Sequence, residues 1–216
     1  MTDSPVSVVV VDDEGLVRSG IALVLDASPD ISVAAAVASP EAVEAVREHA
    51  PDVVLLDVRM PPPDGLTVLA SLMALPVPPV VAMLTTFDTD DLVLEALHRG
   101  ASGFLLKDTD PEQLARHVLT LASGGVVLAP GLRHRRLFRD AGDDSQTARV
   151  AALSPRETAV LRSLAHGSSN AEIGVECALP LGTVKEAVSS IVAALGVHSR
   201  VEAAIVADRA GLVDRA

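Results

Sequence analysis

The stretch Pro51-Asp-Val-Val-Leu-Leu-Asp57, continued by Val58-Arg-Met-Pro61, sets the reading of the whole chain. Val53 to Leu56 form an unbroken apolar run that ends on one carboxylate. A short apolar run without alternation is a strand covered on both faces, the mark of a parallel sheet. Asp57 then stands at the carboxyl end of that strand, the edge where open α/β sheets bind ligands. Pro61-Pro-Pro-Asp-Gly65 stops the strand and turns the chain. By itself such an aspartate is as readily a turn or capping residue as a reactive one, so its meaning depends on what converges with it.

Working outward, the first half alternates strand and helix five times. Val6 to Val11 is a valine strand ending at Asp12-Asp13-Glu14, and Gly15 to Ala27 has helical apolar spacing. Ile31 to Val37 is a second strand, and Ser39-Pro40-Glu41 opens a helix to about His49. After Asp57 come a helix over Asp64 to Leu75, a strand over Val80 to Leu84 ending at Thr85-Thr86, and a helix over Asp88 to Arg99. Gly103 to Leu106 is the fifth strand, ending at Lys107, and Asp110-Pro111-Glu112-Gln113 starts a fifth helix reaching about Ala122. This alternation predicts a doubly wound, five-stranded parallel α/β sheet.

The residues at the strand ends form a set: Asp12 and Asp13, Asp57, Thr85 and Lys107. A strand order of 2-1-3-4-5 brings them to one edge. Three clustered carboxylates repel one another unless a cation lies between them, and oxygen donors of this kind suit Mg²⁺. A lysine and a hydroxyl opposite are the donors that a phosphoryl group on Asp57 requires.

Composition narrows the function classes. The 216 residues, 49% of them hydrophobic, suffice for two small cores, but only Phe87, Phe104 and Phe138 are aromatic. Base stacking on single-stranded nucleic acid is therefore excluded as a principal activity. Cys177 is the single cysteine, which excludes a disulfide framework and a cysteine zinc site. No signal-peptide pattern and no membrane-spanning apolar run occurs, so a cytoplasmic location without membrane contact is expected. The net charge of −12 is uneven: residues 1–122 hold 6 basic and 19 acidic groups, whereas residues 151–216 hold 6 basic and 7 acidic. The first half should repel nucleic acid.

Residues 123–150 read as a linker. Ser123-Gly-Gly125 breaks the fifth helix, Gly131 to Arg139 is a short basic helix, and Ala141 to Ala148 is polar and expected to be mobile. Beyond it, residues 151–216 show four helical segments. Ser154-Pro155-Arg156-Glu157 opens one to about Ala165, Asn170 caps another over Ala171 to Cys177, Thr183 to Leu195 is the third, and Ser199 caps the fourth. Helices two and three are spaced as a helix-turn-helix in an all-α unit.

Residues 6 to about 122 resemble the flavodoxin-like receiver domain of bacterial response regulators. The matching residues are Asp12-Asp13, Asp57, Met60-Pro61, Asp64-Gly65, Thr85, Phe104 and Lys107. The resemblance implies Asp57 as phosphoacceptor for a sensor histidine kinase. It implies Mg²⁺ held by Asp13 and Asp57, by Asp12 through water, and by the backbone carbonyl of Arg59. It implies Thr85, Phe104 and Lys107 as the switch. Asp108 replaces a frequent proline, and Thr86 a frequent alanine.

The C-terminal unit resembles the LuxR-type helix-turn-helix domain of the nitrate-responsive and quorum-sensing subfamily. Leu153-Ser-Pro-Arg-Glu157, Asn170-Ala-Glu-Ile173, Gly182-Thr-Val-Lys185 and Leu195-Gly-Val197 carry the likeness. It implies promoter DNA as partner, Thr183, Lys185, Glu186 and Ser189 as contact residues, and a phosphorylation-favoured homodimer with the fourth helix contributing. The departures fall on the reading helix: Pro180 stands for serine, Glu186-Ala187 for an apolar residue and histidine, and Lys185 is the only cation. Each lost cation weakens DNA binding.

The expected function is therefore a two-component transcription regulator and not an enzyme. An alternative is a signalling protein whose helical domain binds a protein partner. A phosphatase using Asp57 in turnover is disfavoured, because Arg59 stands where a second acid would be needed.

Overall fold

The computed structural model describes residues 4–85, 90–128 and 144–213. The chain divides into two compact units, Met1–Ala122 and Ser123–Ala216. In the first, the order is β1 (Val6–Val11), α1 (Gly15–Asp26), β2 (Ile31–Val37), α2 (Ala42–His49), β3 (Val53–Asp57), α3 (Gly65–Met73), β4 (Val80–Thr85), α4 (Asp90–His98), β5 (Gly103–Leu106) and α5 (Pro111–Ala122). The sheet runs β2-β1-β3-β4-β5, with these strands paired in parallel. Val8–Val11, Val53–Leu56 and Val81–Leu84 have no exposed surface, as expected of strands covered on both faces. Each such Val, Leu or Met side chain contributes about 1.5–3 kcal/mol of burial.

Three details differ from expectation. A sixth strand, β6, absent from the expected five, is formed by the two residues Val127–Leu128. Two residues carry too little periodicity to be read as a strand. Ser39–Glu41 is a separate 3₁₀ turn before α2, with the Glu41 carboxylate accepting the Ala38 N–H at 3.2 Å. Asp64 is the N-cap of α3 rather than its first residue, accepting the Thr67 N–H at 2.8 Å. Gly65 follows because nothing larger fits: a Cβ there would lie 2.2 Å from the Asp57 carbonyl oxygen and 2.9 Å from Val58 Cα.

In the second unit the helices are α6 (Asp144–Ala151), α7 (Pro155–Ala165), α8 (Asn170–Glu176), α9 (Leu181–Leu195) and α10 (Arg200–Arg209). Val160, Leu161, Leu164, Ile173, Val184 and Ile191 form its core with residues of α10. Ser154 and Glu157 make a reciprocal capping box at α7. The polar stretch expected to be mobile is helical from Asp144, since Val150 reaches the core and anchors it. Ser169, not Asn170, caps α8, again in a reciprocal box, here with Glu172. α9 begins two residues earlier than expected, at Leu181, with Pro180 as its N-cap; the proline lies before the helix rather than inside a turn. The basic stretch at residues 131–139 lies outside the described residues, as does Thr86. On α10, the fourth helix expected to contribute to a dimer, Val201 and Ala204 are buried within the unit, and Ile205 and Leu212 are half-buried. Among the described residues, no single helix is long and apolar enough to cross a membrane.

Candidate functional site

Register brings the strand ends together. Val11 pairs with Leu56, Asp57 with Leu84, and Thr85 with Leu106, so Asp12, Asp57, Thr85 and Lys107 arrive at one edge of the sheet. Asp12, Asp57 and Thr85 are buried. Lys107 is the hub: its Nζ lies 2.8 Å from Asp12 Oδ2, 2.9 Å from Asp57 Oδ2 and 3.4 Å from Glu14 Oε1. Its backbone N–H donates to the Thr85 carbonyl at 3.0 Å, which extends the β4–β5 pairing by one residue and aims the side chain inward. Asp57 Oδ1 accepts the Arg59 N–H at 3.1 Å, and Asp12 Oδ1 accepts the Glu14 N–H at 2.8 Å. Phe104 is fully buried on β5.

The electrostatics follow from this packing. Burial pushes the Asp57 carboxyl up from its ordinary value, and the Asp12 charge adds to the rise. Hydrogen bonds from Lys107 and Arg59 and the Lys107 charge oppose it without cancelling it. Burial pulls Lys107 down, but its contacts with Asp12 and Asp57 outweigh that and leave it raised. The ammonium is therefore retained between two buried carboxylates.

Carboxylate oxygens of Asp12, Glu14 and Asp57 lie within 4.8 Å of one another, a grouping able to hold a metal ion. Glu14 is not in the set expected from the strand ends; in the sequence it is marked only by its position directly after the acidic pair. Asp13 is placed differently from its neighbours, with its Oδ1 accepting the Ser39 N–H at 3.0 Å.

On the helical unit, Lys185, Glu186 and Ser189 are exposed on α9 and Thr183 is half-buried. Lys185 and Glu186 are the only charged side chains on that helix. The Ser189 hydroxyl donates to the Lys185 carbonyl at 3.0 Å, and the Ser190 hydroxyl to the Glu157 carboxylate at 3.1 Å. Both hydroxyls thus have partners inside the protein.

Comparison with known proteins gives a consistent result. Residues 8–119 match the response regulator receiver domain, and residues 151–207 match the luxR family of bacterial regulatory proteins. The transcriptional regulatory protein LnrK of Bacillus subtilis is 36% identical over 217 residues, covering 96% of this chain and 98% of its own length. A transcriptional regulatory protein NarL of Mycobacterium tuberculosis is 38% identical over 212 residues, covering 97% of this chain and 96% of its own. Among solved structures, the response regulator ChrA of a heme-sensing two-component system is 31% identical, with a TM-score of 0.53, 97% of this chain and 99% of that one being covered.

Proposed function

The chain belongs to the response regulators that join a receiver domain to a LuxR-type helix-turn-helix domain, a family of transcription regulators rather than enzymes, and from that premise we propose that Asp57 is its phosphoacceptor. The observation that carries this reading is the buried Asp57 carboxylate with Lys107 Nζ at 2.9 Å, at the C-terminal edge of a parallel sheet. The donor is a sensor histidine kinase. One Asp57 oxygen attacks the phosphorus of the phosphohistidine, the P–N bond breaks, and the histidine leaves. Lys107 holds Asp57 by a charge-assisted contact before transfer and is placed to pair with a phosphoryl oxygen afterwards. Thr85, buried at the neighbouring strand end, is the second, neutral donor, and buried Phe104 changes exposure with the switch.

The donor set is hard and anionic, which suits Mg²⁺. Asp12, Glu14 and Asp57 would hold it, with Asp13 and the Arg59 carbonyl as the further ligands implied by the family pattern. When bound, the ion offsets the negative charge gathered around the phosphoryl group. Residues 1–122 are the receiver, 151–216 the DNA-binding domain and 123–150 the connection. Phosphorylation favours a homodimer that reads two half-sites of promoter DNA in the cytoplasm, with Thr183, Lys185, Glu186 and Ser189 on the face of α9 that meets the duplex. Asp57→Asn should abolish labelling by acetyl phosphate with Mg²⁺ while preserving the fold. Undiminished labelling of that variant would show the assignment to be wrong.

A second reading is supported by the charge pattern of α9, where Glu186 adjoins the single cation Lys185. It is that the helical domain binds a protein instead. A gel shift with phosphorylated and unphosphorylated chain separates the two: DNA retarded in neither state removes the first.

A further inference from the structure

We infer that Arg149, on α6 and outside the 151–207 match, is a positioning residue for the reading helix α9. The inference rests on the proposal that α9 meets DNA. The last carbonyls of a helix lack partners within it. Arg149 Nη1 donates to one of them, the Leu195 carbonyl, at 2.8 Å. The chain then leaves α9 through Gly196 in the left-handed region, at φ 67° and ψ 35°, with its N–H returning to the Ala193 and Val192 carbonyls. The guanidinium fills the space beside this glycine, since a Cβ at residue 196 would lie 2.5 Å from Arg149 Nη1. A cation at this end also complements the helix dipole.

The reason this grip matters is the poverty of α9 itself. A reading helix is ordinarily fixed on the duplex by its own phosphate contacts. Here Lys185 is the lone cation, Glu186 adjoins it, and the Ser189 and Ser190 hydroxyls are engaged within the protein. The aim of α9 must come from the protein side. Val184, Ile191 and Leu195 are buried and set its rotation about its axis. Leu195 seats the final turn in the core, and Arg149 adds a polar hold on the backbone carbonyl of that same residue. Val150 beside it is buried in the core of this unit, so the arginine projects from an anchored helix and not from a loose strand of chain. The segment leading into the DNA-binding unit is thereby coupled to the pose of its reading helix.

The test uses the full chain, phosphorylated with acetyl phosphate, and two duplexes: one enriched by the wild type from a random pool, and the unselected pool itself. Arg149→Met keeps the aliphatic stem, and Arg149→Lys restores a cation. Arg149→Met should lower the ratio of selected to unselected affinity about tenfold, the size expected for a lost charge-assisted hydrogen bond. The slope of log affinity against log salt should stay as in wild type, and Arg149→Lys should recover most of the ratio. In amide hydrogen exchange without DNA, Arg149→Met should lose protection in the final turn of α9 while α7 keeps its own. A ratio equal to wild type overturns the inference. So does a salt slope reduced by about 0.9, which would make Arg149 a direct phosphate contact. If the wild type enriches no duplex, the DNA reading itself fails, and the exchange measurement still decides whether Arg149 holds the end of α9.

Discussion

Lys107 and Asp57 are fifty residues apart in the chain and 2.9 Å apart in space, Nζ to Oδ2. The same ammonium lies 2.8 Å from Asp12. One lysine therefore balances two buried carboxylates at the place where a metal ion is proposed. Replacing it with methionine leaves the carboxylates facing each other, a change that costs roughly 3–5 kcal/mol for a buried pair. Lys107→Met should melt well below wild type in a chelator, and Mg²⁺ should restore more stability to the variant than it adds to wild type. Equal Mg²⁺-induced shifts in the two proteins would show that lysine and ion do not serve the same carboxylates.

Gly65→Ala should damage both fold and site. The added carbon would meet the Asp57 carbonyl at 2.2 Å, and backbone cannot rotate away as a side chain can. A loss of at least 1–3 kcal/mol is expected from overpacking, together with slower labelling by acetyl phosphate because the backbone of the acceptor must move. Denaturant titration and labelling kinetics read the two effects. A variant as stable as wild type would mean that α3 shifts freely, which the cap from Asp64 to Thr67 argues against.

His117 on α5 makes stability sensitive to mild acid. Burial, and then the Arg116 charge, hold it below its ordinary 6.5. The folded state thus prefers the neutral ring, and the unfolded state binds the extra proton first. This contribution is whole above 6.5 and is lost as pH falls from there through the lower value that His117 has in the folded state. Between about pH 7.5 and about pH 5.5 the wild-type melting temperature should fall more than that of His117→Gln. Parallel declines would assign the acid sensitivity elsewhere.

Glu186 is expected to act as a brake on DNA binding. It is exposed beside Lys185 and faces the phosphates if α9 enters the major groove. Glu186→Thr should tighten binding to generic duplex, most at low salt, with stability changed by no more than about 0.5 kcal/mol, since Glu186 is exposed, unlike Ala187, which packs against the core of the unit. Weaker binding to the selected duplex with generic binding unaltered would instead make Glu186 a reader of a cytosine amino group.

The parallel sheet was legible because buried strands write themselves as apolar runs, and Val53–Leu56 is such a run. The site was legible for a related reason: the strand ends were marked by Asp12, Asp57, Thr85 and Lys107, and parallel register carries strand ends to one edge. What escaped was set by side-chain direction. Asp13 and Glu14 are adjacent in sequence, yet one turns to the Ser39 N–H and the other joins the carboxylate grouping. No periodicity distinguishes them. The helix at Asp144 escaped because its composition is polar and its order comes from Val150 entering a core assembled from residues far along the chain. The start of α9 was misjudged because Pro180 and Gly182 both favour turns, whereas here proline precedes the helix and glycine lies in its first turn, with nothing within 4 Å of the place a Cβ would take.

The chain contains two lysines, and their surroundings could hardly differ more. The side chain of Lys107 is only 10% exposed and is enclosed by carboxylates, while Lys185 stands in solvent on α9. An amine-directed dye under mild conditions will find one side-chain amine and pass over the other. The protein thus carries a built-in conjugation handle on the helix whose engagement with DNA is in question, and a fluorophore placed there reports that engagement without an engineered cysteine.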